Sequence, residues 1–503
     1  MNEKKDKILF WIETVDLTFG IAKSLIEKYD CDPYALIAHS PKQKSFFNNQ
    51  KLVKFTKSWN IRDYVDQKNH KPNMEKLKFF EEKFSLPLQK IIYGDRFFYK
   101  YNHYYRFTDE EILAIIEQEL NFYEQILDEI NPDYVIMRVP EYQDIELFHE
   151  ICKSKKIKVL ILSPARLGRR WRVSEEINPV ISLENREKDL TIKTFRELRE
   201  IGKGYTDIRK HVFPLQKSNF SQKFTLLFSL FSIFHNSNIN NYRDYGKTPL
   251  TTIFRRMKLL MNSSLRLRFL DKNAIKIYSL DSPFAYFPLH YEPERTILRD
   301  GEYFSNQVSL IKNISQSLPV NMNLLVKEHP EMKSFGWRDL KFYKEILEMP
   351  KVKLIHPSVS NEKLIQNSKM IVTIAGTTCI DALFYEKPSV VLTKINCSSL
   401  SCIFIPENLS ELPSLIKKCL NSKVDLIELN HYVNNLKKNT FDCDVFFLGT
   451  MISKLLGHGG FVDNAPIIEE TMKSFLEENK HDFDILAIEH IKVIESINAT
   501  KKL

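Results

Sequence analysis

Short apolar runs alternate with amphipathic helical stretches near both ends of the chain, and this rhythm restricts the fold more than any other feature. "KILFWI" is followed by "TFGIAKSLIEKY", with apolar residues at helical spacing, and then by a second apolar run, "PYALIAH". The unit returns as "PDYVIMRV", "DIELFHEICKSKK" and "IKVLILS". Strands that are apolar on both faces and joined by crossover helices form a parallel sheet covered on two sides. From Ala274 the rhythm resumes: "YFPL", a helix over 302–318, "NLLVKE", "VKLIH", the short helix "SNEKLIQNS", "MIVTIA", the helix "TTCIDALFYE" and "PSVVLT". The fold class expected is α/β, with two separate sheets.

Between and after these halves the pattern changes. Residues 1–170 form the first α/β domain, with a mostly helical, aromatic and charged stretch over 54–128. Residues 171–273 form a basic helical insertion, 274–440 the second α/β domain, and 441–503 a set of C-terminal helices expected to cross between the domains. The insertion contains "FTLLFSLFSIF" at 224–234, too short to span a bilayer but suited to an interfacial helix beside the basic "FRRMKLLMNSSLRLRF" at 254–269. A helix buried within the insertion fits the same residues.

Composition excludes several classes. The 503 residues carry 73 Lys and Arg against 64 Asp and Glu, a formal charge of +9. That excess suits a basic cleft or a membrane-facing patch, and no basic arm or RNA-binding signature points to nucleic acid as a partner. Seven cysteines form no CxxC pair and no His/Cys cluster at metal spacing, so free thiols in a reducing compartment are expected, and no metal. The charged N-terminus "MNEKKDKILFWIETVD" is no signal sequence, and a cytoplasmic location follows as the expectation.

In parallel α/β sheets ligands sit beyond the carboxyl ends of the strands, and the second domain places unusual residues there. "NLLV" ends in Lys327-Glu328-His329-Pro330: a point charge for phosphate, an imidazole donor, and a proline that fixes the turn. "MIVTIA" ends in Gly376-Thr377-Thr378, where glycine permits close approach of the backbone and the helix that follows presents free N–H groups. "YFPL" runs into "HYEPERT", with Glu292, Glu294 and Arg295. Three polar strand ends in one domain point to a site for an anionic ligand. His290 lies beside this loop with no role assigned, and His356 reads as a strand exit.

The order "YFPLHYEPERT", "VKEHP", "HPSVSNEKLIQNSKMIVTIAGTTCIDALFYEKPSVVL" resembles the donor half of a GT-B glycosyltransferase. More narrowly it is similar to bacterial capsule and surface-polysaccharide biosynthesis proteins, the group of the capsular Kdo transferases, over about residues 286–393. The resemblance implies two Rossmann-like domains facing across a cleft, and a nucleotide-sugar donor in the second. Lys327 and His329 would contact the donor phosphate, with Gly376, Thr377 and Thr378 beside them. Ser360 and Asn361 would lie near the base or ribose, with Glu294 also on the donor side. Asp381 stands where many GT-B enzymes carry a glutamate for ribose or sugar hydroxyls, which weakens assignment of the nucleotide. Pyrimidine nucleotides are favoured by the resemblance. No metal or other cofactor is implied, and no DxD motif follows any of the apolar runs quoted above.

The first domain would then receive the acceptor, a growing glycan or a glycolipid, and supply a general base for its hydroxyl. The carboxylates that follow first-domain strands are Glu13 and Asp16 after "ILFWI", and Glu141 and Asp144 after "YVIMRVP". Glu141 is favoured as the base; Asp144 also suits a helix start. Arg166, Arg169 and Arg170 in "PARLGRRWRV" would clamp an anionic acceptor or simply form a solvated basic loop. Two other functions fit the same chain: a two-domain sugar-nucleotide 2-epimerase, which needs no acceptor, and a non-catalytic component of polysaccharide assembly.

Overall fold

The structure, a computed structural model, describes residues 5–13, 17–39, 41–65, 70–98, 104–183, 191–202, 242–276, 282–456 and 467–501. The apolar stretch 224–234 and Asp16 lie outside the described residues. The chain divides into two compact units. The first comprises 1–177, 204–249 and 439–503, and the second 178–203 and 250–438.

The first unit is built on strands β1 (Asp6–Ile12), β2 (Cys31–Ile37), β3 (Lys57–Asn60), β4 (Tyr134–Arg138), β5 (Lys158–Pro164), β6 (Arg170–Ser174) and, from the far end of the chain, β13 (Phe441–Asp442), in the order β13-β6-β5-β4-β1-β2-β3. The five strands from β3 to β5 are parallel, while β6 and β13 add antiparallel edge pairs. The unbroken apolar run of β1 has a simple cause. Leu9 and Trp11 pack into the core formed with the helices Met74–Phe84, Asp109–Ile130 and Gln143–Ser154. Ile8, Phe10 and Ile12 pack into the opposite core, with helices Leu17–Lys28 and Lys480–Lys501. A strand covered on both faces has no polar side to show.

The second unit repeats the plan with β7 (Phe284–Pro288), β8 (Asn323–Lys327), β9 (Val352–Ile355), β10 (Met370–Thr373), β11 (Ser389–Val391) and β12 (Ile403–Phe404), in the order β12-β11-β10-β7-β8-β9. Every pairing is parallel. Alternate residues again divide between two cores: Ala285 and Phe287 on one face, Phe284 and Tyr286 on the other. This is the doubly wound Rossmann order, and the direction of winding reverses between β7 and β10, as it does between β1 and β4 in the first unit. Crevices open at such reversals, outside the carboxyl ends of the strands.

The C-terminal helices 469–478 and 480–501 belong to the first unit. Lys480–Lys501 lies on Leu17–Lys28 so closely that a Cβ on Gly20 would sit 2.2 Å from the buried Phe483 ring. Alanine gains helix propensity but must displace a large side chain in a packed core. Gly20→Ala is therefore expected to lower unfolding stability by about 1–3 kcal/mol, read from urea titration; an unchanged midpoint would show that the two helices are not held this tightly.

Candidate functional site

At the switch point of the second unit, His290 is buried just past the end of β7. The side chain of Gln307 holds its backbone from both sides, accepting from the His290 N–H at 2.9 Å and donating to its carbonyl at 3.3 Å. The ring Nε2 lies 3.0 Å from Thr373 Oγ1 and accepts the Ile374 N–H at 3.2 Å. Thr373 Oγ1 in turn accepts the Gly376 N–H at 3.1 Å, and because Nε2 is an acceptor for Ile374, the hydroxyl donates to it. With two donors on Nε2, the ring is neutral and carries its proton on Nδ1. This chain of bonds ties the turn after β10 to the end of β7. Gly376 has no room for a side chain: a Cβ would stand 2.6 Å from Thr373 Oγ1 and 3.3 Å from the imidazole.

The end of β8 splits its charged residues between two tasks. Glu328 is fully buried and pairs with Arg338 Nε at 3.0 Å, while the Tyr343 hydroxyl donates to it at 2.7 Å. Arg338, itself buried, also pairs with Glu292 at 2.6 Å and donates to the His290 carbonyl. Burial, then Glu328, pushes the Tyr343 phenol far up. Burial acts to lower the Arg338 pKa, but Glu328 and Glu292 outweigh it and raise it. Lys327 is also buried, and its ammonium bonds Asn361 Oδ1, which accepts the Tyr286 hydroxyl at 3.1 Å as well. His329 remains half-exposed. Its Nδ1 accepts the Glu331 N–H at 3.3 Å and so caps the turn Pro330–Phe335. That leaves the ring proton on Nε2, as a donor.

Across the switch point, Thr377 and Thr378 are half-buried at the start of the short helix Thr378–Leu383. Thr377 makes no capping bond, and neither hydroxyl has a hydrogen-bond partner among the described residues. Asp381 lies half-buried on the same helix. Ser360 is exposed, and its hydroxyl caps helix Asn361–Asn367 through the Lys363 N–H at 3.4 Å. The Glu294 carbonyl accepts from Ile297 and Leu298, and Arg295 pairs with Asp300 at 3.0 Å. The structure thus brings Lys327 and Asn361 into direct contact and gives Ser360 and Glu294 local structural bonds. It adds His290, Gln307, Arg338 and Tyr343, whose only sequence signal was the unassigned histidine beside the loop.

The first unit carries a second cluster at its own reversal. Glu13 follows β1, and Arg138 ends β4; both are half-buried, and neither makes a side-chain hydrogen bond or ion pair among the described residues. Burial above all pushes the Glu13 carboxyl up to about 7, with Arg138 opposing and Glu141 and Asp144 reinforcing. Glu141 is exposed and pairs with Arg96 at 2.7 Å. Asp144 is buried against Arg243. Behind it the buried Glu119 accepts from Tyr242 at 3.0 Å and from Gln143 at 3.1 Å, and burial drives its carboxyl well up. Of the arginines in "PARLGRRWRV", Arg166 turns the chain at φ +62°, Arg169 pairs with Asp442 at 3.1 Å, and Arg170 Nε donates to Thr440 Oγ1 at 2.7 Å. The last two hold the edge strand β13 onto β6.

Residues 182–398 match the model of the family described as capsule polysaccharide biosynthesis protein. The similarity expected over 286–393 therefore holds and extends beyond it on the N-terminal side. Similar solved structures include the Thermosulfurimonas dismutans KpsC β Kdo 2,4 transferase, at 10% identity over 63% of this chain and 87% of that one, with a TM-score of 0.30. The Methanocaldococcus jannaschii UDP-GlcNAc 2-epimerase in complex with UDP-GlcNAc and UDP is 13% identical over 86% of this chain and 99% of that one, at 0.27. The S. aureus MnaA–UDP co-structure is 9% identical over 95% and 96%, at 0.26. Comparison with curated proteins returned no match.

Proposed function

We propose that this chain is a capsule-type glycosyltransferase that moves a sugar from a nucleotide-sugar onto a surface glycan or lipid-linked acceptor, working at the cytoplasmic face of a membrane. The observation that carries this reading is the turn after β10, beside the second unit's switch point, where the half-buried hydroxyls of Thr377 and Thr378 have no hydrogen-bond partner among the described residues and can donate to an anion. The family match over the same residues supports it. As the glycosidic bond of the donor breaks, charge grows on the leaving phosphate, and fixed donors meet that charge without reorganising. No metal ion is required for this. Pyrimidine nucleotides remain the favoured donors.

Glu13 serves as the general base. A carboxyl raised to about 7 holds a proton tightly enough to accept one from an acceptor hydroxyl and is still ionised in part at neutral pH. Glu141, favoured from the sequence, is exposed, and its carboxylate is paired with Arg96 at 2.7 Å.

Incubation with UDP-, CMP-, GDP- and CDP-sugars, with and without glycolipid acceptor, tests the proposal. Released nucleotide and a longer acceptor are expected only when the acceptor is present. A new sugar nucleotide or free sugar formed without acceptor would assign epimerisation instead, and nucleotide binding without turnover would assign an assembly component.

A further inference from the structure

The helix Pro249–Asn273 turns the wrong face outward. Leu250, Phe254, Met257, Leu260, Met261 and Leu265 are 55–70% exposed. Five of them, at 250, 254, 257, 261 and 265, recur every three or four residues and form one stripe. Scattered exposed apolar residues are ordinary, but six large ones along sixteen residues of one helix are not. The other side of the helix is anchored. Leu270 is fully buried, and the Arg266 guanidinium donates to the Gly336 and Trp337 carbonyls at 3.2 and 2.9 Å and pairs with Asp339. The helix is thus fastened to the loop that leaves His329, with its apolar stripe facing away.

Charge identifies the occupant of that stripe. From Pro249 to Leu270 there is no Asp or Glu, while Arg255, Arg256, Lys258, Arg266 and Arg268 contribute five positive charges. Lys258 and Arg268 are exposed along the stripe itself. A second copy docking through the same face would set these cations against their own equivalents, because a two-fold contact pairs a patch with itself. An apolar stripe flanked by the exposed cations Lys258 and Arg268, on a helix with no acid between Pro249 and Leu270, suits the interface of an anionic bilayer, where apolar side chains enter the acyl boundary and long cationic stems reach the headgroups.

We propose that the outward face of helix Pro249–Asn273 rests on an anionic lipid surface and holds the second unit, and with it the loop carrying His329, at the membrane. This goes beyond the transferase function and does not depend on it, since lipid binding needs no turnover.

Co-sedimentation of the full chain with phosphatidylcholine vesicles containing about one third phosphatidylglycerol tests it. The chain is expected to pellet at about 0.05 M salt and to be released at about 0.5 M, where surface charges are screened. Combined substitution Phe254→Ser, Met257→Ser and Met261→Ser is expected to reduce the bound fraction at least about tenfold, with the thermal midpoint unchanged because the three side chains are exposed. Lys258→Glu with Arg268→Glu, which leaves the apolar stripe intact, is expected to remove binding at low salt as well, and decides the matter if the triple variant fails to fold. Wild-type chain that stays in the supernatant would overturn the proposal. So would folded triple and charge-reversed variants that pellet like wild type, which would place the contact elsewhere. Wild-type dimers that the triple substitution converts to monomers, without vesicle binding, would assign the face to a second copy.

Discussion

Glu13→Gln is expected to slow transfer by about 10²–10⁴-fold, the range that a positioned general base contributes. Glutamine keeps the shape and the polarity of the site but cannot take a proton. The pH dependence follows from the raised carboxyl. Its base form appears as pH rises through about 7, so the wild-type rate should climb over that interval and the residual rate of the variant should not. Stability should move the other way. A carboxyl whose folded pKa lies above its unfolded value binds more protons in the folded state. Wild-type stability therefore falls as pH rises from the ordinary carboxylate range toward 7. The uncharged amide removes that loss, and the variant should be at least as stable as wild type at neutral pH. A variant that is both slow and unstable, or one with full activity, would remove Glu13 from catalysis and return the role to Glu141.

Arg338→Met is expected to lower stability by about 3–5 kcal/mol, because removing one partner of a buried ion pair leaves the other without compensation. Methionine replaces the aliphatic stem that packs under the guanidinium, so the loss is electrostatic rather than a cavity. Glu328 would keep only the buried Tyr343 hydroxyl and the part-buried His329 N–H. The consequence reaches the site, since Arg338 joins the end of β7, through Glu292 and the His290 carbonyl, to the end of β8. Urea unfolding of the variant, with nucleotide affinity measured on the same preparation, checks this. Stability within about 1 kcal/mol of wild type would show that Glu328 does not depend on Arg338 for its burial.

The sheets were the legible part of this chain. "KILFWI", "NLLVKE" and "MIVTIA" fall on β1, β8 and β10 because a doubly covered strand must be apolar at every position, and a run of that kind is visible in a sequence. "RRWRV" was harder. It reads as a basic loop, yet "RWRVS" is β6, paired antiparallel with β5 and fastened by β13 from some 270 residues away. A pairing of that span leaves no local mark. The strand ends were also recognisable as polar clusters, but not how their charges are shared. The sequence shows Lys327, Glu328 and His329 as one cluster. Burial separates them: Glu328 goes to Arg338, Lys327 to Asn361, and His329 caps the next turn. Arg338 and Gln307 sit in ordinary helical or loop sequence, and only the packing of β7 against β8 and β10 gives them partners. Glu13 could be seen as a carboxylate following a strand, but its raised proton affinity depends on burial that no spacing reveals.

The most direct measurement is a calorimetric titration of the whole chain, wild type and His329→Ala, with UDP, CMP, CDP and GDP. Wild type should bind at least one pyrimidine nucleotide, and His329→Ala should bind it about 10–100-fold more weakly, the loss of one hydrogen bond to a charged group. The lost cap should lower the thermal stability by only about 1 kcal/mol, and His329→Asn, which can cap but reaches less far, should regain stability without regaining affinity. Failure of every nucleotide to bind, or equal affinity in wild type and His329→Ala alongside a large loss of stability, would make "KEHP" a structural turn and contradict a donor site at the end of β8.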